Sequence, residues 1–165
     1  MIFIEKSLLL PIMIGEFKMK VLVDADACPV KDLIIKLGTK TTYQLIMVSS
    51  VAHWSKQTKN EEVDYITVDN RPEAADMKII NLANTSDIVV TQDYGLAALL
   101  LGKGVKVLSP RGKLFTEANI NYLLSRRHQT AKLRRAGGRS KGPSKYSEAD
   151  RERFENNFKK LLGLL

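Results

Sequence analysis

The chain has 165 residues, 44% hydrophobic and 27% charged, which gives room for one α/β domain with a true core and argues against two independent domains, disorder or a membrane protein. The formal charge of +8 is split: residues 1–102 hold 10 Lys/Arg against 13 Asp/Glu, net −3, and residues 103–165 hold 16 against 5, net +11. An acidic body joined to a basic tail is what a metal site beside a polyanion-binding surface needs, although a solvated tail that only aids solubility has the same charge.

Residues 1–18 carry an apolar run, 8–15, interrupted by Pro11. It is too short to span a bilayer, and with neither a positive leader nor an A-x-A cleavage pattern it does not read as a secretory signal. Met19 stands directly before the first convincing strand, so residues 1–18 are set aside as an N-terminal extension of uncertain status. Residues 20–23 form a short apolar run that reads as a buried strand of a parallel sheet. Pro29 suits the first turn of a helix whose Leu33, Ile34 and Leu37 share one face, stopped near Gly38. Strands follow at 44–48 and 65–68. Pro72 opens a second helix carrying Ala75, Ile79, Ile80 and Leu82, and a strand at 88–91, a helix at 94–101 and a strand at 105–108 complete the alternation. Five strands alternating with helices predict a three-layer α/β fold with a mostly parallel sheet.

Beyond the Ser109-Pro110-Arg111-Gly112 stretch the pattern changes to a long helix, 116–135, with Thr116 as N-cap. Residues 136–145, rich in Gly, Ser and Lys/Arg, read as a mobile basic linker. A last helix begins at Ser147, where Ser147 and Asp150 have the spacing of a capping box, and runs to about 162. The expected organisation is therefore an α/β domain over 19–136 and a basic linker with a C-terminal helical extension over 137–165.

In open parallel sheets, ligands bind beyond the carboxyl ends of the strands, and there the acids of this chain collect. Asp24 and Asp26 follow the first strand, Asp69 the third and Asp93 the fourth, while Asp76 lies one turn into the helix after strand three. Carboxylates about 5 Å apart repel by roughly 3 kcal/mol at an effective dielectric near 20, so a converging set requires either protonation or a cation. With only His53 and His128 in the chain and no Cys/His cluster, the all-oxygen set of Asp24, Asp26, Asp76 and Asp93 favours Mg²⁺ or Mn²⁺. Such a metal could activate water for attack on phosphorus. Each acid also has a plainer reading: Asp24 or Asp26 in an Asx-turn, Asp93 as a helix cap, Glu73 as a partner of its helix dipole. Thr91 and Asp69 are placed as supporting residues around the acids.

The run MKVLVDADACPVK at 19–31 resembles the YaiI/YqxD family of bacterial proteins, a branch of the PIN-like superfamily. The resemblance continues through AAD at 74–76, VVTQDYGLAA at 89–98, SPRG at 109–112, Gly137-Gly138 and Gly142-Pro143, covering about 19–162. It implies a PIN-like sheet with Asp24 (Asp26 beside it), Asp76 and Asp93 at the acidic positions, and, because PIN-like proteins are often metal-dependent ribonucleases, hydrolysis of RNA. PIN sites commonly carry a further acid just past the T-x-D position; here Tyr94-Gly95-Leu96 follows, which argues against a second metal.

Arg111, Arg126, Arg127, Arg134, Arg135, Arg139 and Lys141, with His128, Lys132 and Lys145, form the candidate phosphate-contacting surface. Cys28 cannot form an internal disulfide, which fits a reducing cytoplasm. It reads as a buried packing residue, or as a reactive thiol at a helix N-terminus. His53-Trp54 offers packing, a base-stacking surface or a proton shuttle. Three functions compete: a Mg²⁺/Mn²⁺-dependent nuclease acting on RNA, a nucleic-acid-binding or regulatory protein with a degenerate site, and a haloacid-dehalogenase-like phosphatase using Asp24 and Asp26 as nucleophile and acid/base.

Overall fold

Parallel strands that are apolar at consecutive positions must be covered on both faces. The computed structural model of the protein, which describes residues 18–51 and 59–165, meets this demand with helices on both sides of one sheet. In chain order the elements are β1 (Lys20–Asp24), α1 (Lys31–Gly38), β2 (Gln44–Ser50), β3 (Val63–Val68), α2 (Ala74–Leu82), β4 (Ile88–Val90), α3 (Tyr94–Gly102), β5 (Lys106–Leu108), β6 (Leu114–Phe115), α4 (Glu117–Arg135) and α5 (Glu148–Leu162). The sheet order is β3–β2–β1–β4–β5–β6. The first five strands are parallel, with Val21 opposite Leu45 on one side of β1 and opposite Ile88 on the other; β6 is antiparallel to β5.

The pleat sorts the core into two layers. Val21, Val23, Met47, Val90 and Leu108 face α1 and α5, while Leu22, Ile46, Val48, Val89 and Val107 face α2, α3 and α4. The N-terminal edge of the sheet is closed by Asp87, whose buried carboxylate accepts from the Lys20 amide at 2.9 Å and the Asn84 amide at 2.8 Å and pairs with Lys20 Nζ at 3.0 Å. No helix among the described residues is long and apolar enough to cross a membrane.

Three expectations need correction. The sheet has a sixth strand: Ser109 N–H donates to Lys113 O and Gly112 N–H to Ser109 O, both at 2.8 Å, and this turn returns Leu114 and Phe115 alongside β5. A two-residue strand shows no periodicity, so the sequence cannot announce it. Secondly, α5 is a layer of the domain, not an extension: Phe154 and Phe158 are fully buried, their rings stacked at 5.2 Å. Thirdly, the basic stretch after α4, expected to be a mobile linker, has no helix or strand from 138 to 147 but is tied down along its length. Gly138 N–H donates to Leu133 O at 3.0 Å, Arg134 Nε to Ser140 Oγ at 2.5 Å, and the Tyr146 hydroxyl to Pro110 O at 3.0 Å. The expected caps of the last two helices form as reciprocal boxes, Thr116 with Asn119 and Ser147 with Asp150.

Candidate metal and nucleic-acid site

Strand order reverses direction at β1, because β2 and β3 are laid to one side and β4 and β5 to the other. The loops leaving β1 and β4 therefore diverge and open a crevice at the carboxyl end of the sheet. Asp24 is the last residue of β1 and Thr91 the first after β4. The buried Thr91 hydroxyl donates to Asp24 Oδ2 at 3.0 Å and accepts from the Asp93 amide at 3.1 Å. One side chain thus sets the relation between two acids 69 residues apart in the sequence. Asp93 Oδ1 accepts from Leu96 N at 3.0 Å, so the residue does cap α3, and it does so at the crevice. Both carboxylate oxygens of Asp26 accept from the Ser50 amide, at 3.0 and 3.2 Å, which pins Asp26 over the end of β2.

Two hollows meet at Asp24. One, of about 370 Å³, is lined by Asp24, Asp26, Ser50, Glu73 and Asp76 among others. The other, of about 340 Å³, is lined by Asp24, Gln92, Asp93, Tyr94 and Arg127. Glu73, directly before α2, is held at φ 64°, a left-handed conformation uncommon for a residue with a side chain. Burial pushes the Asp24 carboxyl above the ordinary range; the Thr91 hydroxyl opposes this, and the charges of Asp26 and Asp93 add to it. Burial likewise raises Asp76 to about 6, reinforced by Asp93, Asp24 and Glu73. The acids therefore feel one another across the crevice.

As placed, they line it without closing on a point, and among the described residues no three His, Cys, Asp or Glu side chains are close enough together to hold a metal ion. The donors nonetheless fit a hard divalent cation in type, being all oxygen, and in electrostatics, because mutually repelling carboxylates are what a cation relieves. The folded Asp76 carboxyl titrates above its ordinary value of 3.8, so its charged form costs stability, and that cost grows as pH rises through the interval up to about 6. Asp76→Asn should therefore stabilise the protein in EDTA at pH 7.5 and give no gain at pH 3.5. Solvent screening of this half-exposed group holds the gain to about 1 kcal/mol. Urea unfolding at the two pH values measures it, and an equal effect at both would dismiss the repulsion.

The basic residues divide. Arg127 Nη1 stands 3.7 Å from Asp93 Oδ1, bringing a guanidinium to the acids. Arg126, Arg127 and Arg134 line an adjoining groove on α4. Arg135, Arg139 and Lys141 are exposed and line neither this groove nor the crevice hollows. Arg111, expected to contact phosphate, is given over to the fold. It pairs with Asp150 Oδ2 at 2.6 Å, donates to the Ser144 carbonyl and lies 5.6 Å from the Tyr146 ring centroid. At Gly112 the backbone comes close to α5: a Cβ there would sit 2.4 Å from Phe154 N. Asp69, expected beside the acids, forms an exposed ion pair with Arg71 at 2.8 Å and lines a different hollow. Cys28 is buried, and burial pushes its thiol up to about 11, so it packs as a neutral side chain. His53 and Trp54 lie outside the described residues. Ser50, Gln92 and Tyr94 also line the crevice, and none of the three was expected there, because none carries a charge that sequence reasoning would follow.

The family model described as "Uncharacterized BCR, YaiI/YqxD family" matches residues 22–163. The chain belongs to the YaiI/YqxD family. The match runs from within β1 to the end of α5. Among its relatives, a "UPF0178 protein" of Bacillus anthracis is 45% identical over 146 residues, covering 88% of this chain and 100% of the relative. A Bacillus cereus protein of the same name is 44% identical over the same shares, and one from Staphylococcus haemolyticus is 43% identical over 87% of this chain and 97% of its own length. No solved structure matches the chain.

Proposed function

We propose that this YaiI/YqxD protein is a divalent-metal-dependent nuclease that hydrolyses RNA phosphodiester bonds. The observation that carries the reading is the gathering of Asp24, Asp26, Asp76 and Asp93 around one switch-point crevice, with Arg127 at its edge. These four carboxylates, which would have to draw closer together to do so, are the residues that would hold Mg²⁺ or Mn²⁺, which when bound would supply Lewis acidity toward phosphoryl oxygen and lower the pKa of attacking water. The chain's own part is positional: the Thr91 hydroxyl orients Asp24, the Ser50 amide fixes Asp26, and the helix-capping bond fixes Asp93. Arg127 can receive a phosphate oxygen through a charge-assisted hydrogen bond. The resemblance of the acidic positions to those of PIN-like ribonucleases supports the same chemistry.

One contact favours the second reading, a nucleic-acid-binding protein with a degenerate site: Arg127 already offsets part of the acidic charge at Asp93. No comparable contact favours the phosphatase reading: both Asp26 oxygens accept from the Ser50 amide, at 3.0 and 3.2 Å. The deciding experiment incubates end-labelled single-stranded RNA with the full chain in Mg²⁺, Mn²⁺ or EDTA. Fragments are expected with either metal and none in EDTA. Salt-sensitive binding with no cleavage under any metal would hand the crevice to the binding reading.

A further inference from the structure

Beside the acidic crevice runs a second concavity with a different character. Helix α4 ends at Arg135, and Gly137, at φ +82°, turns the chain back along it. Gly138 then packs so closely on Leu133 that a Cβ would lie 2.7 Å from the Leu133 side chain, and Arg134 grips Ser140. The returning segment places Pro143 opposite α4 and encloses a groove of about 520 Å³, within the size range of small-ligand sites. Its apolar lining includes Leu123, Ala131 and Pro143, and its charged lining is Arg126, Arg127 and Arg134, with no acid among the lining residues. Tyr94 and Arg127 line this groove and the acidic hollow alike, so the two adjoin.

We infer that this groove is a nucleotide subsite, which takes one unpaired nucleotide of a single-stranded RNA with its base on the apolar lining and its phosphates on the three arginines. A bare phosphate has no use for apolar lining. A duplex presents a convex ridge of phosphates with its bases stacked inside, so it would meet the arginines and leave the apolar surface unfilled. An unpaired nucleotide has both parts, a flat apolar face and an adjacent anionic linkage, and single-strand binding surfaces combine these two recognition elements. The continuity through Tyr94 and Arg127 places the next linkage of the same strand toward Asp24 and Asp93. That last step rests on the nuclease reading; the subsite itself does not.

The test measures binding with cleavage disabled. Anisotropy of a short labelled oligoribonucleotide is recorded in EDTA, single-stranded and annealed to its complement, with inorganic polyphosphate as a competitor of pure charge. The single strand is expected to bind at least about 10-fold more tightly than the duplex. Ala131→Trp, which fills the apolar part, should weaken single-strand binding about 10-fold and leave polyphosphate binding unchanged. Arg126→Ala combined with Arg134→Ala should weaken both ligands and reduce the salt slope for the single strand by about 1.4. Circular dichroism establishes that each variant is folded, and the arginine variant, altered only at exposed positions, keeps the question open to refutation if Ala131→Trp is not. Duplex binding as tight as single-strand binding, or an Ala131→Trp protein of unchanged affinity, overturns the subsite. Should the binding pattern hold while no metal supports cleavage, the nuclease reading falls and the subsite stands; cleavage with unchanged Ala131→Trp binding gives the reverse.

Discussion

Asp24→Asn is expected to fold with undiminished stability and to lose at least about 100-fold in metal-dependent cleavage, equivalent to some 2.7 kcal/mol of transition-state stabilisation. The amide has the shape of the carboxylate, and its oxygen can still accept from the Thr91 hydroxyl. What disappears is a charge that burial and the neighbouring Asp26 and Asp93 already disfavour, so removing it relieves repulsion. A residue retained for structure behaves in the opposite way, since deleting a satisfied buried group lowers stability. The two roles thus separate in paired measurements, thermal unfolding in EDTA and initial cleavage rate in Mn²⁺. Added Mn²⁺ should also raise the melting temperature of the wild-type protein and move that of the variant much less. Full cleavage by Asp24→Asn would remove the crevice from the chemistry.

Gly112→Ala is expected to cause the largest loss of stability of any single methyl addition considered, about 3–5 kcal/mol. The left-handed backbone at φ +80° costs an L-residue about 1–2 kcal/mol by itself. The greater part comes from packing: the added carbon would fall 2.4 Å from Phe154 N and 2.5 Å from the Arg153 carbonyl carbon. These are backbone atoms, so no rotamer change removes the conflict. Helix α5 must lift, loosening the Asn157 amide bond to the Gly112 carbonyl at 2.8 Å and the burial of Phe154 and Phe158. Gly142→Ala is the control, because a Cβ there meets nothing within 4 Å, and its effect should stay within about 0.5 kcal/mol. Urea denaturation of both variants checks the contrast, and a loss below about 1 kcal/mol for Gly112→Ala would refute the clamp.

The parts of the fold visible in the sequence are those written locally. Apolar runs such as 20–23 and 88–91, punctuated by helix faces such as Leu33, Ile34 and Leu37, expose the alternation of strand and helix. Acids directly after two strands likewise mark the crevice, because in a parallel sheet every such position lies at the same end. What escaped depends on partners remote in the chain. Arg111 finds Asp150 39 residues away, and nothing near Arg111 distinguishes an arginine that meets phosphate from one that meets an aspartate. Ser50 donates its backbone amide to Asp26, a role no residue type signals. Asp69 follows the sequence rule for strand ends, yet Arg71 draws it outward.

The placement of Phe154 and Phe158 also bears on how the molecule is made. The last strand of their layer, with Leu108, leaves the ribosome about fifty residues ahead of Phe158, a delay of roughly 3–10 s at ordinary rates of synthesis. During that interval one face of the sheet in the nascent chain is covered by α1 alone. Chaperones would find their natural target on that surface, and a message truncated shortly before codon 154 would yield a product marked for proteolysis.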